Sequence, residues 1–425
     1  MTVNALEPHK LRDWSTLDLQ SLSSGGTITQ LHHLLRSVTV QQSVYNPTVR
    51  TEFALQDGRQ VFDKLLPVQG EEVMLMGLVD SGGRSADLVS HMYTMTDMIT
   101  SHNGTMNTYG LVGQSLWMQE NYREKVRKTF KDMKYSDMIV SLCNDYLGES
   151  PKSVDTSTFE QKRFFCPQLS PLQVIDILLK RAHDNNPGFW VLHGAWSTGI
   201  GQHLRLSNLY NNLQQGPKWT FRIGDGARFS DTIDGEQIEG KPTSRVTSWS
   251  YTNMHNAHDL THAGFESRQY DKIDIFTRNY IQVEDKGNRP TYLSDSPIHT
   301  GAFRGSHMQP KYNPNQRTRF QMVDTDYYRG IDNTDTLDKS IMSMPLQSSL
   351  TQKDLTIITA GNLLVQAGDV VEVLHAEIHA LDEDRAESKR LSGNYLVTSK
   401  TDTFTNTNEH FSKLVLSRES HTPRG

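Results

Sequence analysis

The chain has 425 residues, 36% of them apolar, with 43 Lys and Arg against 49 Asp and Glu and a formal net charge of −6. That length exceeds one ordinary core and predicts about two to four modest domains, while a mean hydropathy of −0.57 leaves much polar surface for loops or partner subunits to cover. The acidic balance excludes a DNA-holding basic groove, and the lack of a signal pattern over Met1 to Trp14 or of any transmembrane-length apolar run predicts assembly in a cytosol without membrane anchoring.

Residues 1–26 are polar and end in Ser23-Ser24-Gly25-Gly26, which predicts an extended arm with no core of its own. From Thr27 the pattern becomes sheet-like: Val38 and Val40, then Phe53 and Leu55, alternate with polar neighbours. Tyr45-Asn46-Pro47 and Gln56-Asp57-Gly58 mark turns between them, and Val73, Leu75 and Met76 begin another strand. A small β-barrel or sandwich is expected over 27–118. The period then changes. Tyr135, Met138, Ile139, Leu142, Cys143 and Tyr146 fall at helical spacing before Gly148. A second helix starts on Ser170 with Pro171 in its first position, carries Leu172, Ile175, Leu178, Leu179 and Ala182 inward, and stops at Asn186-Pro187-Gly188. Strands at Arg163-Phe164-Phe165-Cys166 and Phe189-Trp190-Val191-Leu192 flank it, predicting a β-α-β unit with two helices on one small sheet in an α/β insertion over 119–240.

Glycine and aspartate turns punctuate 211–240, and short β-like runs such as Ile273, Ile275 and Tyr280 return by 280. Residues 283–345 are rich in Asn, Asp, Ser, Pro and Gly and read as a loop-dominated insertion. Leu355, Ile357 and Ile358, then Val370-Val371-Glu372-Val373, Tyr395-Leu396-Val397-Thr398 and Leu414-Val415-Leu416, form the strands of a second β domain. Cys143 and Cys166 sit inside apolar patterns and read as small core hydrophobes, with a disulfide as the alternative.

Three segments carry a family likeness. The first is Val38-Thr39-Val40-Gln41-Gln42-Ser43-Val44 with Phe53-Ala54-Leu55-Gln56-Asp57 and Leu66-Pro67-Val68-Gln69-Gly70-Glu71-Glu72-Val73. The second pairs Tyr135-Ser136-Asp137-Met138-Ile139 with Leu169-Ser170-Pro171-Leu172-Gln173-Val174-Ile175. The third, the most specific, is Gly361-Asn362-Leu363-Leu364-Val365-Gln366-Ala367-Gly368-Asp369-Val370-Val371 with Ser392-Gly393-Asn394-Tyr395-Leu396-Val397-Thr398. In order and spacing the chain resembles the baseplate hub of contractile-tail phages, whose fold is shared with the base of type VI secretion valine-glycine repeat spikes.

The resemblance implies an α+β, mainly antiparallel β protein: two tube-protein-like β-barrels with inserted α/β and loop-rich domains. The second barrel is then discontinuous, 241–280 plus 341–425, with 281–340 inserted. It implies a homotrimer joining a central spike to the tail tube or its initiator proteins, with baseplate wedge proteins around it. DNA only passes through the lumen. The expected place is the virion, in the tail baseplate, after assembly in the host cytoplasm.

No catalytic, cofactor-binding or metal residue is assigned. His255, His258 and His262 are spaced to share one helix face, as zinc ligands require, yet Asp259, Leu260 and Thr261 supply no His-Glu-x-x-His base. A polar loop or interface is the expected reading, and a metal-dependent tail-associated hydrolase is the alternative function. His32-His33 reads as one buried and one exposed imidazole in a strand. Asp324, Asp326, Asp332, Asp335 and Asp338 lack the spacing of a calcium loop. Gly199-Ile200-Gly201 lacks the third glycine of a dinucleotide fingerprint, the tryptophans are scattered core or interface residues, and Arg123 to Lys128 reads as a solvated face.

Overall fold

The computed structural model describes residues 12–21, 27–30, 32–58, 72–80, 89–103, 106–157, 160–182, 189–197, 201–224, 237–238, 241–251, 268–274, 280–285, 318–324, 355–375, 391–405 and 409–418. Alternation of apolar and polar residues lays down seven antiparallel strands first: β1 (Arg12–Ser21), β2 (Thr27–Gln30), β3 (Leu35–Ser43), β4 (Arg50–Asp57), β5 (Glu72–Asp80), β6 (Val89–Asn103) and β7 (Met106–Ser115). They pair in the order β2-β1-β5-β6-β7-β4-β3. Only Leu31 and a one-turn 3-10 helix, His32–Leu34, separate β2 from β3, so the two end strands of this first-barrel row are joined by a very short connection. Val38 and Val40 of β3 and Phe53 and Leu55 of β4 lie in one apolar core with Leu111 of β7. One expectation is corrected here: residues 12–21 are no arm but an interior strand, with β1 paired to β2 on one side and to β5 on the other. Composition hides this because main-chain pairing, not a run of apolar side chains, holds such a strand in place.

Between the barrels the period is helical. Helix α1 (Trp117–Arg123) leads into β8 (Thr129–Lys134), then α2 (Tyr135–Leu142), whose last turn widens to a π turn over Cys143–Leu147 and ends on left-handed Gly148. Strands β9 (Ser153–Val154) and β10 (Glu160–Phe165) follow, then α3 (Pro171–Arg181), β11 (Trp190–Ser197), β12 (Gly201–Asn208) and α4 (Leu209–Gln214). At the start of α3 the Gln173 Oε1 accepts from the Ser170 N–H (3.2 Å) and hydroxyl (3.0 Å), half of the reciprocal cap that Ser-x-x-Gln permits. The predicted faces hold: Met138, Ile139, Leu142 and Cys143 of one helix and Ile175 and Leu178 of the other share a core, with Leu172, Leu179 and Cys166 packed at its rim. Both cysteines are free, and burial pushes their thiols up, to about 12 for Cys143 and about 11 for Cys166. The predicted β-α-β unit is corrected. Strand β10 pairs with β8 in one sheet and β11 with β12 in another, so α3 bridges two small sheets. Sequential strands fix neighbourhood, and the ladder partner is chosen elsewhere in the chain.

The second barrel closes fully. Its strands are β13 (Trp219–Ile223), β15 (Lys241–Tyr251), β19 (Leu355–Ala360), β20 (Val370–His375), β21 (Gly393–Thr405) and β22 (His410–Ser417), with β14 (Gln237–Ile238) hairpinned onto β15. The ring runs β21-β20-β13-β15-β19-β22 and back to β21, with β13 parallel to both neighbours. Phe221, Ile357, Val373, Tyr395, Val397, Leu414 and Leu416 fill it. Strand β13 comes from the stretch expected to be α/β insertion. Strands β16 (Arg268–Asp274) and β17 (Tyr280–Asp285) join no barrel but form their own sheet with β18 (Thr318–Asp324), inside the stretch expected to be loops. Short apolar runs announce strands without saying which sheet will take them.

Candidate functional site

The two barrels meet edge to edge. Strand β21 pairs antiparallel with β3 from Ser399↔Ser43 to Thr405↔Ser37, which makes the barrels one continuous sheet. Period-two alternation then sorts the seam into two faces. Lys400, Asp402 and Phe404 point inward with Val38, Val40 and Gln42, all buried. Ser399, Thr401, Thr403 and Thr405 share the other face with Ser37, Thr39, Gln41 and Ser43.

Register carries that open face outward in rows. One row runs Ile358, Lys413, Thr401, Gln41, Arg50, Gln114; the next runs Ala360, Phe411, Thr403, Thr39, Glu52, Val112. At the seam the wall is hydroxyl and amide, and farther out it mixes apolar residues with a few charges. Arg50 and Glu52 neutralise each other at 2.8 Å, which leaves Lys413 as the one other charge in these two rows. Such a surface offers hydrogen bonds to water but no fixed field to a passing polyanion.

Behind the wall lies a buried polar network. Asp402 Oδ2 stands 2.8 Å from the Lys400 ammonium, while its Oδ1 accepts from the Ser412 hydroxyl (2.5 Å) and meets His410 Nε2 (3.2 Å). Burial alone would raise the Asp402 carboxyl, but the Lys400 charge together with the hydrogen bond and charge of His410 outweighs it and holds the group below the ordinary carboxylate value. The His410 ring stacks on Phe404 at 4.1 Å, Phe404 meets Trp196 edge-on at 6.1 Å, and the Gly361 backbone lies against His410 where any Cβ would overlap the ring. Although Ser412, His410 and Asp402 are the residue types of a hydrolytic triad, Ser412 is bonded to the carboxylate rather than to the imidazole and has no accessible surface. It has no route to a substrate.

A second polar junction ties the insertion to the second barrel. Arg205 Nη1 donates to Gln366 Oε1 (3.0 Å), Asn212 Nδ2 donates to the Gly368 carbonyl (3.0 Å), and Asp369 Oδ1 accepts from Lys218 Nζ (2.7 Å). His193 is fully buried beside them. Burial first, then the charges of Arg205 and His203, push its imidazole down to about 3, so it is neutral at physiological pH.

No protein-family model matches the chain, and no curated protein matches its sequence. Solved structures do match. A tail protein from Neisseria meningitidis MC58 aligns over 95% of this chain and 96% of its own, at 12% identity and a TM-score of 0.52. The 43 kDa tail protein of prophage MuSo2 from Shewanella oneidensis aligns over 95% and 98%, at 11% identity and a TM-score of 0.50. The chain has the fold of a phage tail protein.

Within this tail-protein fold the residues singled out by sequence fall as follows. His255, His258 and His262 lie outside the described residues, as do Asp326, Asp332, Asp335 and Asp338; Asp324 ends β18. Among the described residues no three His, Cys, Asp or Glu side chains gather as a metal site, and no helix is long and apolar enough to cross a membrane. His32 and His33 are in the 3-10 helix rather than a strand, with His33 exposed. Trp117, Trp190, Trp196 and Trp219 are core residues, whereas Trp249 is 42% exposed and lies edge-on to His375. Lys128 of the mixed-charge run pairs with Asp145. An open groove of about 990 Å³ runs between Tyr45 and Pro47 of the first barrel and Tyr122, Leu172 and Phe189 of the insertion; its Asp176 is paired with Lys180 at 2.6 Å. The feature that sequence reading missed is the wall itself. Its Ser and Thr alternation was visible strand by strand, but the β3 to β21 pairing spans more than 350 residues.

Proposed function

We propose that the chain is the structural hub of a contractile phage tail baseplate. It closes as a homotrimer whose six barrels adapt a three-fold central spike to the six-fold tail tube. The observation that supports this most is the β3 to β21 pairing, which sets two barrels side by side in one sheet whose seam presents a Ser, Thr and Gln face. Three such sheets in cyclic symmetry would give six barrels around a channel. The neutral face would line it, so that DNA slides through without being held.

The insertion and the β16 to β18 sheet then occupy the outside, where wedge proteins would meet them. The tube or its initiator proteins stack on one side of the ring and the spike docks on the other. The role is structural rather than enzymatic, in the virion, after assembly in the bacterial cytoplasm. Native mass spectrometry of the purified chain, alone and with its spike, is expected to give three copies in at least one of the two samples. A chain that stays monomeric in both overturns the ring.

A further inference from the structure

Three polar side chains are buried together where the barrels join. Lys400 and Asp402 have no accessible surface, and their charged groups stand 2.8 Å apart without the alignment of a hydrogen bond. Gln42 lies directly across the ladder from Lys400 and is 1% exposed, and neither atom of its carboxamide has a hydrogen-bond partner among the described residues. Opposed residues in an antiparallel pair share a face with Cβ atoms about 4.5–5.5 Å apart, so the long Lys400 and Gln42 side chains can meet at their tips. Leaving a buried amide unpaired is costly, and a desolvated ammonium costs more. Joining the two groups removes the ammonium charge and leaves one secondary amide where two polar groups stood.

We propose that Lys400 and Gln42 form an intramolecular isopeptide bond, with Asp402 as the proton carrier. The ion pair is the resting state. Lys400 and His410 favour the charged carboxylate, so the neutral amine beside a neutral acid is a minor state, reached when a proton passes from the Lys400 ammonium to Asp402, and a single turnover from it suffices. The freed lone pair on Nζ attacks Cδ of Gln42, and the bond from Cδ to the amide nitrogen breaks. One Nζ proton reaches the departing nitrogen by way of the Asp402 carboxyl, and ammonia leaves. Nothing is oxidised or reduced, and the chain loses one ammonia. Ser412 and His410 hold Oδ1, which turns Oδ2 toward Lys400 for this exchange, and Phe404 and the Gly361 backbone fix the His410 ring. The product is a covalent staple from β3 to β21, between the two barrels, and it stands independently of the hub assignment.

Intact mass under denaturing conditions tests it directly. With allowance for the initiator methionine, the wild-type chain is expected to be lighter than its sequence by one ammonia. Peptide mapping is expected to recover a branched peptide joining the Gln42 and Lys400 segments. Gln42→Leu and Asp402→Asn are each expected to restore the full sequence mass. A wild-type chain of full mass, with the two peptides recovered separately, overturns the proposal, and so does an ammonia loss mapped elsewhere. Should either variant fail to fold, the wild-type mass and map still decide.

Discussion

His193 shows how one buried side chain sets a pH response. Its folded value of about 3 lies far below the ordinary imidazole value of 6.5, so between these limits the unfolded chain binds a proton that the folded chain refuses. The stability this contributes is fully present above pH 6.5 and is lost as pH falls toward 3, at up to about 1.4 kcal/mol per pH unit. Urea midpoints followed from neutral to acid pH should fall less steeply in His193→Gln than in wild type. Next to it, Gly194 packs so closely that a Cβ would stand 2.8 Å from the Thr48 carbonyl carbon and 2.9 Å from the Val49 nitrogen. Main chain cannot yield as a side-chain tip can, so Gly194→Ala should destabilise by about 1–3 kcal/mol, read as a lower thermal midpoint. The histidine trio gives a residue-scale test of the alternative function: elemental analysis of the purified chain should find no stoichiometric zinc, and His255→Ala with His258→Ala should leave its melting unchanged by chelator.

At the scale of elements, β1 decides the limits of the first barrel. Its removal would strip β5 and β2 of a partner along most of their lengths and expose unpaired main-chain groups on both. A truncation lacking residues 1–26 should therefore be insoluble or lose its cooperative transition in circular dichroism. A solubly folded truncation with an unchanged melt would show that β1 is dispensable. The α3 helix behaves differently, because its start and its buried face are written locally in Ser170, Pro171, Ile175 and Leu178.

For the whole molecule, the proposed channel role turns on the charge of the sheet face. Thr39 and Thr401 lie on the open face beside the seam, and replacing both with lysine would add two charges per chain to that wall. On the proposed ring, the wild-type assembly should retain no DNA. The Thr39→Lys, Thr401→Lys ring should retain DNA at low salt and release it as salt rises, measured by gel shift across ionic strength. Retention by wild type, or none by the variant, would show that this face does not line the channel.

The sequence makes legible what is local: the alternation in β3, β4 and β21, the helical faces of α2 and α3 with their caps, the turn residues, and the α+β, mainly antiparallel class. It misread Arg12–Ser21, because a strand held by main-chain pairing on both sides needs no apolar run, and it placed β13 and β16 in the wrong units for the same reason. Nor could it see the wall or the network behind it. Lys400, Asp402 and Gln42 become neighbours only when β21 lies against β3, and Arg205 meets Gln366 only when the insertion closes on the second barrel. Periodicity fixes which way a side chain faces, whereas strand pairing across hundreds of residues, chosen by the sum of ladder bonds and shared cores, decides what it faces.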